Sequence, residues 1–232
     1  VALVYRAADD SQTSPLPDGL DAADLRDGFS ITDATTGAWE YDASALNLEA
    51  LGSGETVELT YTVTGTDSQN ATTSESVVIT INGTNDAPSL PSPVADQSFD
   101  DAEAVTLVTA SAFTDADSGD TLSFSASGLP TGLAIDSATG EISGTIDDSA
   151  SQGSPYTVTV TASDGSGSAS DVFEIVVSNL TPSASNNAAS VTEDGVTSAS
   201  GNVLTDDDGS GADTDPEDPD SQLSVTAVAG IS

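Results

Sequence analysis

The side chains best suited to chemistry in this chain are oxygen-bearing groups at a break between two β-like segments. The break reads Asn82-Gly83-Thr84-Asn85-Asp86-Ala87-Pro88. Pro88 has no amide hydrogen and pushes Ala87 toward extended geometry, so neither a helix nor a central strand passes through this stretch. Asn85 and Asp86 supply the oxygen ligands that Ca²⁺ prefers. The pattern indicates a junction that calcium stiffens, and a plain polar turn between two domains is the alternative.

The composition excludes several kinds of functional site. The chain has 232 residues, 39 of them acidic, and a formal net charge of -37. Arg6 and Arg26 are its only cations, and it contains no lysine, histidine, cysteine or methionine. Nucleic-acid binding is excluded because phosphates need basic side chains. Zinc, copper and haem sites built from His or Cys, histidine-activated nucleophiles, catalytic lysines and disulfides are excluded as well.

The charge also bears on how the chain folds. So many carboxylates repel one another and oppose a compact state, yet the β-branched residues are arranged as strands. Bound divalent cations reconcile the two facts, since about five calcium ions would cancel about ten charges and leave an acidic, soluble surface. The sequence contains no apolar stretch of the length that a transmembrane helix needs, so we expect no membrane insertion.

Alternation of apolar and polar residues predicts an all-β chain. It is clearest from Val57 to Val63 and returns at Val77 to Ile81, Tyr156 to Ala162 and Phe173 to Val177. One helical turn is expected near Asp21 to Arg26.

Internal similarity predicts a tandem array. Tyr61-Thr62-Val63-Thr64 followed by Asp67 parallels Val158-Thr159-Val160-Thr161 followed by Asp164. Matching positions lie about a hundred residues apart, the size of an immunoglobulin-like sandwich. The predicted segments are residues 1–87, 88–181 and 182–232.

Several motifs resemble known repeat families of giant bacterial surface proteins, the RTX-adhesin-like group. The 82–88 break and Gly37-Ala38-Trp39-Glu40-Tyr41 resemble the second half of a VCBS repeat, and Val191-Thr192-Glu193-Asp194-Gly195 resembles the first half of another. Residues 89–181 resemble a dystroglycan-type cadherin-like module. The motifs that carry this second resemblance are Phe113-Thr114-Asp115-Ala116-Asp117, Leu129-Pro130-Thr131-Gly132-Leu133, Thr139-Gly140-Glu141-Ile142-Ser143-Gly144-Thr145 and Ala162-Ser163-Asp164-Gly165.

These resemblances imply tandem immunoglobulin/cadherin-like Greek-key β-sandwich domains that bind Ca²⁺. They also imply a secreted or cell-surface segment of a bacterial adhesin or a biofilm matrix protein, with neighbouring repeats or other copies of itself as partners. The implied ligands, gathered at one pole of a sandwich, are Asn85, Asp86, Asp115, Asp117, Asp136 and Asp164. Solvated or ordinary turns remain the alternative for the four last aspartates. The second junction, residues 178–182, lacks the Asn-Asp pair, which puts calcium there in doubt.

Two other functions are weighed against this one. A carbohydrate-binding module would use Trp39 to stack on a sugar, although the alternation of Trp39 with Tyr41 favours a core position. A glycosidase needs two carboxylates at a set separation, and nothing in the sequence raises the pKa of one of them, so we expect no enzyme.

The two half-repeats at the ends predict a further property. Neither half closes a sandwich alone, because each leaves a sheet edge and an apolar face uncovered. The strand from Val57 to Val63 needs partners such as Leu223 and Val225, and these can come from another copy. Head-to-tail association and filaments would follow, whereas an arbitrary cut in a longer chain is the alternative.

Overall fold

The computed structural model describes residues 1–7, 12–13, 16–183, 188–191, 193, 200–201 and 224–225. These residues are almost entirely β. Their one α-helix is α1 (Ala22–Asp27), and short 3-10 helices occupy Ala110–Ala112 and Ala150–Gly153. The predicted all-β class is thus confirmed, and the helical turn lies where the sequence places it.

Thirteen strands are formed within the described residues. In chain order they are β1 (Ala2–Arg6), β2 (Gln12–Thr13), β3 (Phe29–Asp33), β4 (Ala38–Tyr41), β5 (Thr56–Thr66), β6 (Thr72–Asn82), β7 (Gln97–Asp100), β8 (Ala104–Val108), β9 (Ser123–Ser127), β10 (Leu133–Ile135), β11 (Glu141–Thr145), β12 (Tyr156–Ser163) and β13 (Ser168–Ser178).

The chain divides into two compact units. The first comprises Val1–Ser92, Ala110–Phe124 and Thr161–Ser170, and the second Pro93–Thr109, Ser125–Val160 and Asp171–Ser232. The predicted segment boundaries at residues 87 and 181 stay predictions. Most of the predicted third segment, including Leu223, lies outside the described residues.

A four-stranded sheet in the order β2-β1-β5-β6 forms the body of the first unit. Its longest pairing joins β5 to β6 in antiparallel register, from Thr56 opposite Asn82 to Thr66 opposite Thr72. The alternation along β5 buries Val57, Leu59 and Tyr61, because successive side chains of a strand point to opposite faces. The apolar residues of this alternation therefore lie on the inner face of the sheet.

Helix α1 and the hairpin of β3 and β4 pack on that inner face through aromatic side chains. The Tyr61 hydroxyl donates to the Arg26 carbonyl at 3.0 Å, and the Tyr41 hydroxyl donates to the Leu25 carbonyl at 2.8 Å. Phe29 stacks on Tyr61 with ring centroids 4.3 Å apart. Burial, with a smaller effect of Tyr61, raises the pKa of Tyr41 to about 12, so these phenols stay protonated donors at neutral pH.

The second unit contains a three-stranded sheet in the order β10-β11-β8. A four-stranded sheet follows the order β7-β13-β12-β9, in which β7 and β13 are parallel, and β9, β12 and β13 have residues in both units. The buried residues Ile142, Val158 and Ile175 belong to its core. Among the described residues, no helix has both the length and the apolar character needed to cross a membrane.

Candidate metal centre

Acidic side chains of the first unit come together where three connecting segments meet. The segments are the loop 115–120, the stretch 83–88 after β6, and the loop 164–167 between β12 and β13. A two-way backbone bridge aligns the first two: the Ser89 amide donates to the Thr114 carbonyl at 2.8 Å, and the Thr114 amide returns a bond of 3.0 Å. This bridge holds the residues before Pro88 beside Asp115 and Asp117.

Asp115, Asp117 and Asp120 form the centre of the group. Each offers a carboxylate oxygen, and these oxygens all lie within 4.8 Å of one another. Asp117 is only 2% exposed, Asp115 is half-buried and Asp120 is exposed. Asp115 Oδ2 and Asp117 Oδ1 are buried without a hydrogen-bond partner. Since buried polar atoms are nearly always paired with protein, water or an ion, two unpaired carboxylate oxygens on neighbouring side chains make this group a candidate cation site.

The remaining oxygens of the pair are held by backbone amides. The Asp86 amide donates to Asp117 Oδ2 at 2.8 Å, and the Asp117 amide donates to Asp115 Oδ1 at 3.0 Å. These bonds fix both carboxylates in place while leaving one oxygen of each available. The predicted junction residue Asp86 thus contacts the group through its backbone.

The electrostatics of the site oppose the ionisation of Asp117 and Asp120. Burial is the main cause that raises the pKa of Asp117, and the charges of Asp86, Asp120 and Asp115 raise it further, whereas the Asp86 amide bond lowers it. Burial also raises the pKa of Asp120, with the charges of Asp115, Asp164 and Glu55 adding to it. A divalent cation would reverse this repulsion, because it is the largest charge in such a site.

Asn85 and Asp164 meet at the edge of the group. Asn85 Nδ2 donates to Asp164 Oδ2 at 3.1 Å and to the Asp86 carbonyl at 2.9 Å. Asp164 Oδ1 also accepts from the amides of Gly167 and Ser166 at 2.5 and 2.6 Å, and these bonds lower the pKa of Asp164. Asp164 therefore closes its own turn and is tied to the junction as well.

Asp136 lies in the turn between β10 and β11, in the second unit. Its Oδ1 accepts from the amides of Thr139 and Ala138 at 2.8 and 2.9 Å, and these bonds lower the pKa of Asp136. The ordinary-turn alternative accounts for these contacts, and a ligand role for Asp136 stays a prediction.

Two acidic residues near the group were not singled out from the sequence, Asp120 and Glu55. Glu55 is buried, and its Oε1 and Oε2 accept from the Tyr5 hydroxyl at 2.5 Å and the Gly52 amide at 3.0 Å. A Cβ placed on Gly119 would lie 3.1 Å from Glu55 Oε1, and one on Gly52 would lie 3.2 Å from Asp117 Cγ. The loop that carries Glu55 therefore abuts the loop 115–120. The spacing Asp115, Asp117, Asp120 is a visible signal for Asp120, whereas no local pattern points to Glu55.

The junction is docked on that same loop at a glycine. A Cβ on Gly83 would lie 2.2 Å from the carbonyl oxygens of both Leu51 and Gly52, so only glycine fits. The Gly83 amide donates to the Glu55 carbonyl at 2.9 Å, and the Thr84 amide donates to the Leu51 carbonyl at 3.1 Å. These contacts fix the start of the 83–88 stretch.

The residues present fit a calcium ion. Ca²⁺ takes six to eight oxygens in flexible geometry, with carboxylates, carbonyls and water as ligands. Asp115 Oδ2 and Asp117 Oδ1 lack partners, and Asp120 adds a third carboxylate within reach. Residues 115, 117 and 120 would hold the ion.

Comparison with known proteins supports the fold class. Residues 87–178, less than half of the chain, match the family described as "Putative Ig domain". With the nearly all-β architecture, this match confirms the predicted immunoglobulin-like class. No curated protein matches the chain. The VCBS and RTX-adhesin resemblances stay predictions.

Solved structures give weaker likenesses. Mouse cadherin-23 EC22-24 is 18% identical, with 77% of this chain and 53% of that chain covered and a TM-score of 0.41. Protocadherin gamma B2 domains 3–6 are 17% identical over 76% and 43% of the two chains, with a TM-score of 0.42. A "putative alpha-galactosidase" of Bacteroides fragilis NCTC 9343 is 24% identical over 40% of this chain, with a TM-score of 0.32, and the chain spans only 18% of its length.

Proposed function

We propose that this chain is a calcium-stabilised structural segment of a secreted or cell-surface protein of the adhesion type. Its β-sandwich modules serve as a stiff extender in an adhesin or an extracellular matrix, and they join to neighbouring repeats or to other copies head to tail. The observation that carries the calcium proposal is the pair of buried, unpartnered oxygens, Asp115 Oδ2 and Asp117 Oδ1. The VCBS-like and cadherin-like motifs support the extracellular setting.

Calcium suits the site better than other metals. Every side-chain donor in the group is an oxygen, and oxygen-only ligand sets select hard cations over zinc or copper. Mg²⁺ requires near-ideal octahedral geometry and keeps several waters, whereas Ca²⁺ accepts irregular sets of carboxylates. The proposal assigns these carboxylates to cation binding and none of them to catalysis.

The ion would act by linking segments that are distant in sequence. Asp115 and Asp117 belong to the loop 115–120, and the backbone of Asp86 is already bonded to Asp117. Filling the site would lock the 83–88 stretch against that loop. Calcium would therefore stabilise the junction between modules as well as the fold.

Thermal melts in chelator and in excess calcium test the proposal. Extracellular modules bind calcium at about 10⁻⁴–10⁻³ M, so about 10 mM calcium is near a hundred times the tighter Kd. Such an excess adds about 2.7 kcal/mol for one site. Identical melting temperatures in the two conditions would refute the proposal that calcium stabilises this chain.

A charge-matched pair of variants locates the effect. Asp115→Ala with Asp117→Ala should abolish most of the calcium-dependent difference. Asp206→Ala with Asp208→Ala removes two carboxylates at the same spacing from the acidic run of residues 206–220 and should change the difference little. If both double variants lose it equally, calcium acts through general screening rather than through this site.

A carbohydrate-binding module is the second candidate, and the exposed indole of Trp39 favours it. Trp39 is 46% exposed, so the core position expected from its alternation with Tyr41 is wrong. Its ring stacks on Phe29 with centroids 5.6 Å apart. Such a supported aromatic face can stack on a neutral sugar. A glycan array with and without calcium tests this: specific binding that Trp39→Ala abolishes and Trp39→Phe retains would favour the second candidate.

A further inference from the structure

Strands β6 and β13 are similar in length and in sequence pattern. β6 is the last strand of the four-stranded sheet of the first unit, and β13 is the last strand of the described residues. β6 and β13 each have eleven residues, and both precede a stretch of the form Asn-x-x-Pro, at residues 85–88 and 179–182. The sixth, eighth and tenth residues of both strands are large and apolar. In β6 they are Val77, Ile79 and Ile81, and in β13 they are Phe173, Ile175 and Val177.

The two strands differ in their neighbours. β13 lies between β12 and β7, and its pairing with β7 is parallel, from Ile175 opposite Gln97 to Ser178 opposite Asp100. β6 pairs with β5 and ends its sheet, so no described residue pairs with its other edge. Within the described structure, the place beside β6 that corresponds to β7 is therefore unfilled.

The apolar positions of β6 are also less buried than those of β13. Phe173, Ile175 and Val177 are 3%, 0% and 4% exposed, whereas all three β6 residues at the matching positions are only half-buried. The edge of β6 also lacks the usual protection, since its eleven residues include no proline and no lysine and only one charge, Glu75. A long edge with an apolar second half and little protection is a template for an added strand.

The chain carries a second copy of the β7 pattern. Ser98-Phe99-Asp100-Asp101 spans the end of β7 and the acidic turn after it, and Ser190-Val191-Thr192-Glu193 repeats the same order of hydroxyl, apolar, polar and acidic residues. Residues 188–191 are described outside any strand and are exposed, with Val191 57% exposed. In the single chain, the edge and the matching segment are thus both unpaired among the described residues.

We propose that residues 188–191 of a second copy of this chain add, as a parallel strand, to the edge of β6 that no described residue pairs with. By analogy with β7 on β13, Ser190 lies opposite Thr80 and Val191 lies opposite Ile81. Donor and acceptor are different surfaces, so the contact is head to tail and repeats without closing. The inference rests on the self-association proposed above and deepens it, and it is independent of calcium binding.

Electrostatics set the conditions for the contact. Two chains of net charge -37 repel each other, while the proposed strands themselves carry few charges. At about 0.15 M ionic strength the screening length is about 8 Å, so added salt removes most of the long-range repulsion. Association should therefore grow with salt, and the two strands then pair through backbone bonds that salt does not screen.

Cysteine cross-linking tests the register, because the chain has no cysteine of its own. The 232-residue chain with Thr80→Cys is mixed with the same chain carrying Ser190→Cys at about 0.15 M salt under mild oxidation, once with calcium and once with chelator. The mixed disulfide dimer should form several-fold faster than in a mixture of Ser190→Cys with Ser76→Cys. Ser76 is exposed on the same strand, but it is about 13 Å from Thr80 along it. Equal rates for the two mixtures in both buffers would overturn the proposal.

Two further outcomes complete the test. The double variant Thr80→Cys with Ser190→Cys should form disulfide-linked ladders, whereas a disulfide closed within single chains would exclude the second copy as donor. Ile81→Asp should suppress both the ladders and the salt-dependent association of the cysteine-free chain in sedimentation. A cross-linking failure in protein that still shows a calcium-dependent melting shift would overturn strand addition alone, and the reverse result would overturn calcium binding alone.

Discussion

Changing Asp117 to asparagine should stabilise the chain in chelator and reduce the stabilisation that calcium provides. In chelator, the carboxylate of Asp117 is buried beside Asp115 and Asp120, with Oδ1 unpartnered and burial raising its pKa. The asparagine side chain of Asp117→Asn would keep an oxygen for the Asp86 amide and would remove the buried charge. Removing the charge relieves its desolvation and its repulsion by Asp115 and Asp120, so the variant should be more stable than the native chain in chelator.

In calcium this advantage should shrink by about 1.3 kcal/mol, because the variant has lost one anionic ligand. If the native site is held at about a hundred times Kd, it gains about 2.7 kcal/mol, and a tenfold weaker site gains only about 1.4 kcal/mol. At about 2–4 °C per kcal/mol for a chain of this size, the calcium-induced rise in melting temperature should fall from about 5–11 °C to about 3–6 °C.

Differential scanning calorimetry of both proteins in chelator and in about 10 mM calcium measures all four values. Ser118→Ala, next to the site in sequence and without a carboxylate, serves as a control and should leave the calcium shift unchanged. An Asp117→Asn protein that is less stable than the native chain in chelator would refute the reasoning, because it would mean that the buried carboxylate is stabilising without a cation. An undiminished calcium shift would refute the assignment of Asp117 as a ligand.

Three other predictions follow from the described contacts. In chelator, the melting temperature should rise as pH falls from neutral toward about 4, because the raised pKa values of Asp117 and Asp120 make the folded state bind protons more tightly. The destabilisation by these two charged carboxylates is full above their folded pKa and absent below the usual value of 3.8. A melting temperature that stays flat or falls over that pH range would contradict this. Gly83→Ala should lower the free energy of unfolding by about 1–3 kcal/mol in denaturant unfolding, because its Cβ would meet two carbonyl oxygens. Gly65→Ala, whose Cβ would make only ordinary contact, should lower it less. Equal losses of stability in the two variants would argue against docking of the junction. Tyr41→Phe should cost about 1 kcal/mol in the same assay, because it leaves the Leu25 carbonyl with one fewer donor, and no change would show that water replaces the hydroxyl.

Much of the fold can be read from the sequence because its strands alternate cleanly. Val57, Leu59 and Tyr61 are buried in the order that the pattern predicts. Trp39 follows the same alternation and is nevertheless half-exposed, since β3 and β4 form a two-stranded ribbon and the pattern cannot tell how far a covering sheet extends. Alternation therefore predicts the face of a residue better than its burial.

The candidate site is only partly predictable for a related reason. Asp115 and Asp117 are recognisable because they are close in sequence, and Pro88 marks the junction that meets them. Asp136 and Asp164 occupy turns whose own amides bond their carboxylates, and such local contacts look the same whether or not a ligand is near. Glu55 is brought beside Gly119 by tertiary packing, which leaves no trace in local spacing.

The parallel pairing of β7 with β13 has a mechanical consequence. These strands stand at the entrance and the exit of the segment that matches the immunoglobulin family. Tension applied along the chain would pull them in opposite directions, so their backbone bonds would bear the load together in shear. In an antiparallel hairpin pulled from its open end, the bonds instead break in succession. Forced unfolding is governed by the unfolding rate, and shear loading makes that rate slow. A donor strand seated in parallel beside β6 would be loaded in the same way, and a chain of such subunits would then resist stretching at its joints as well as within its modules.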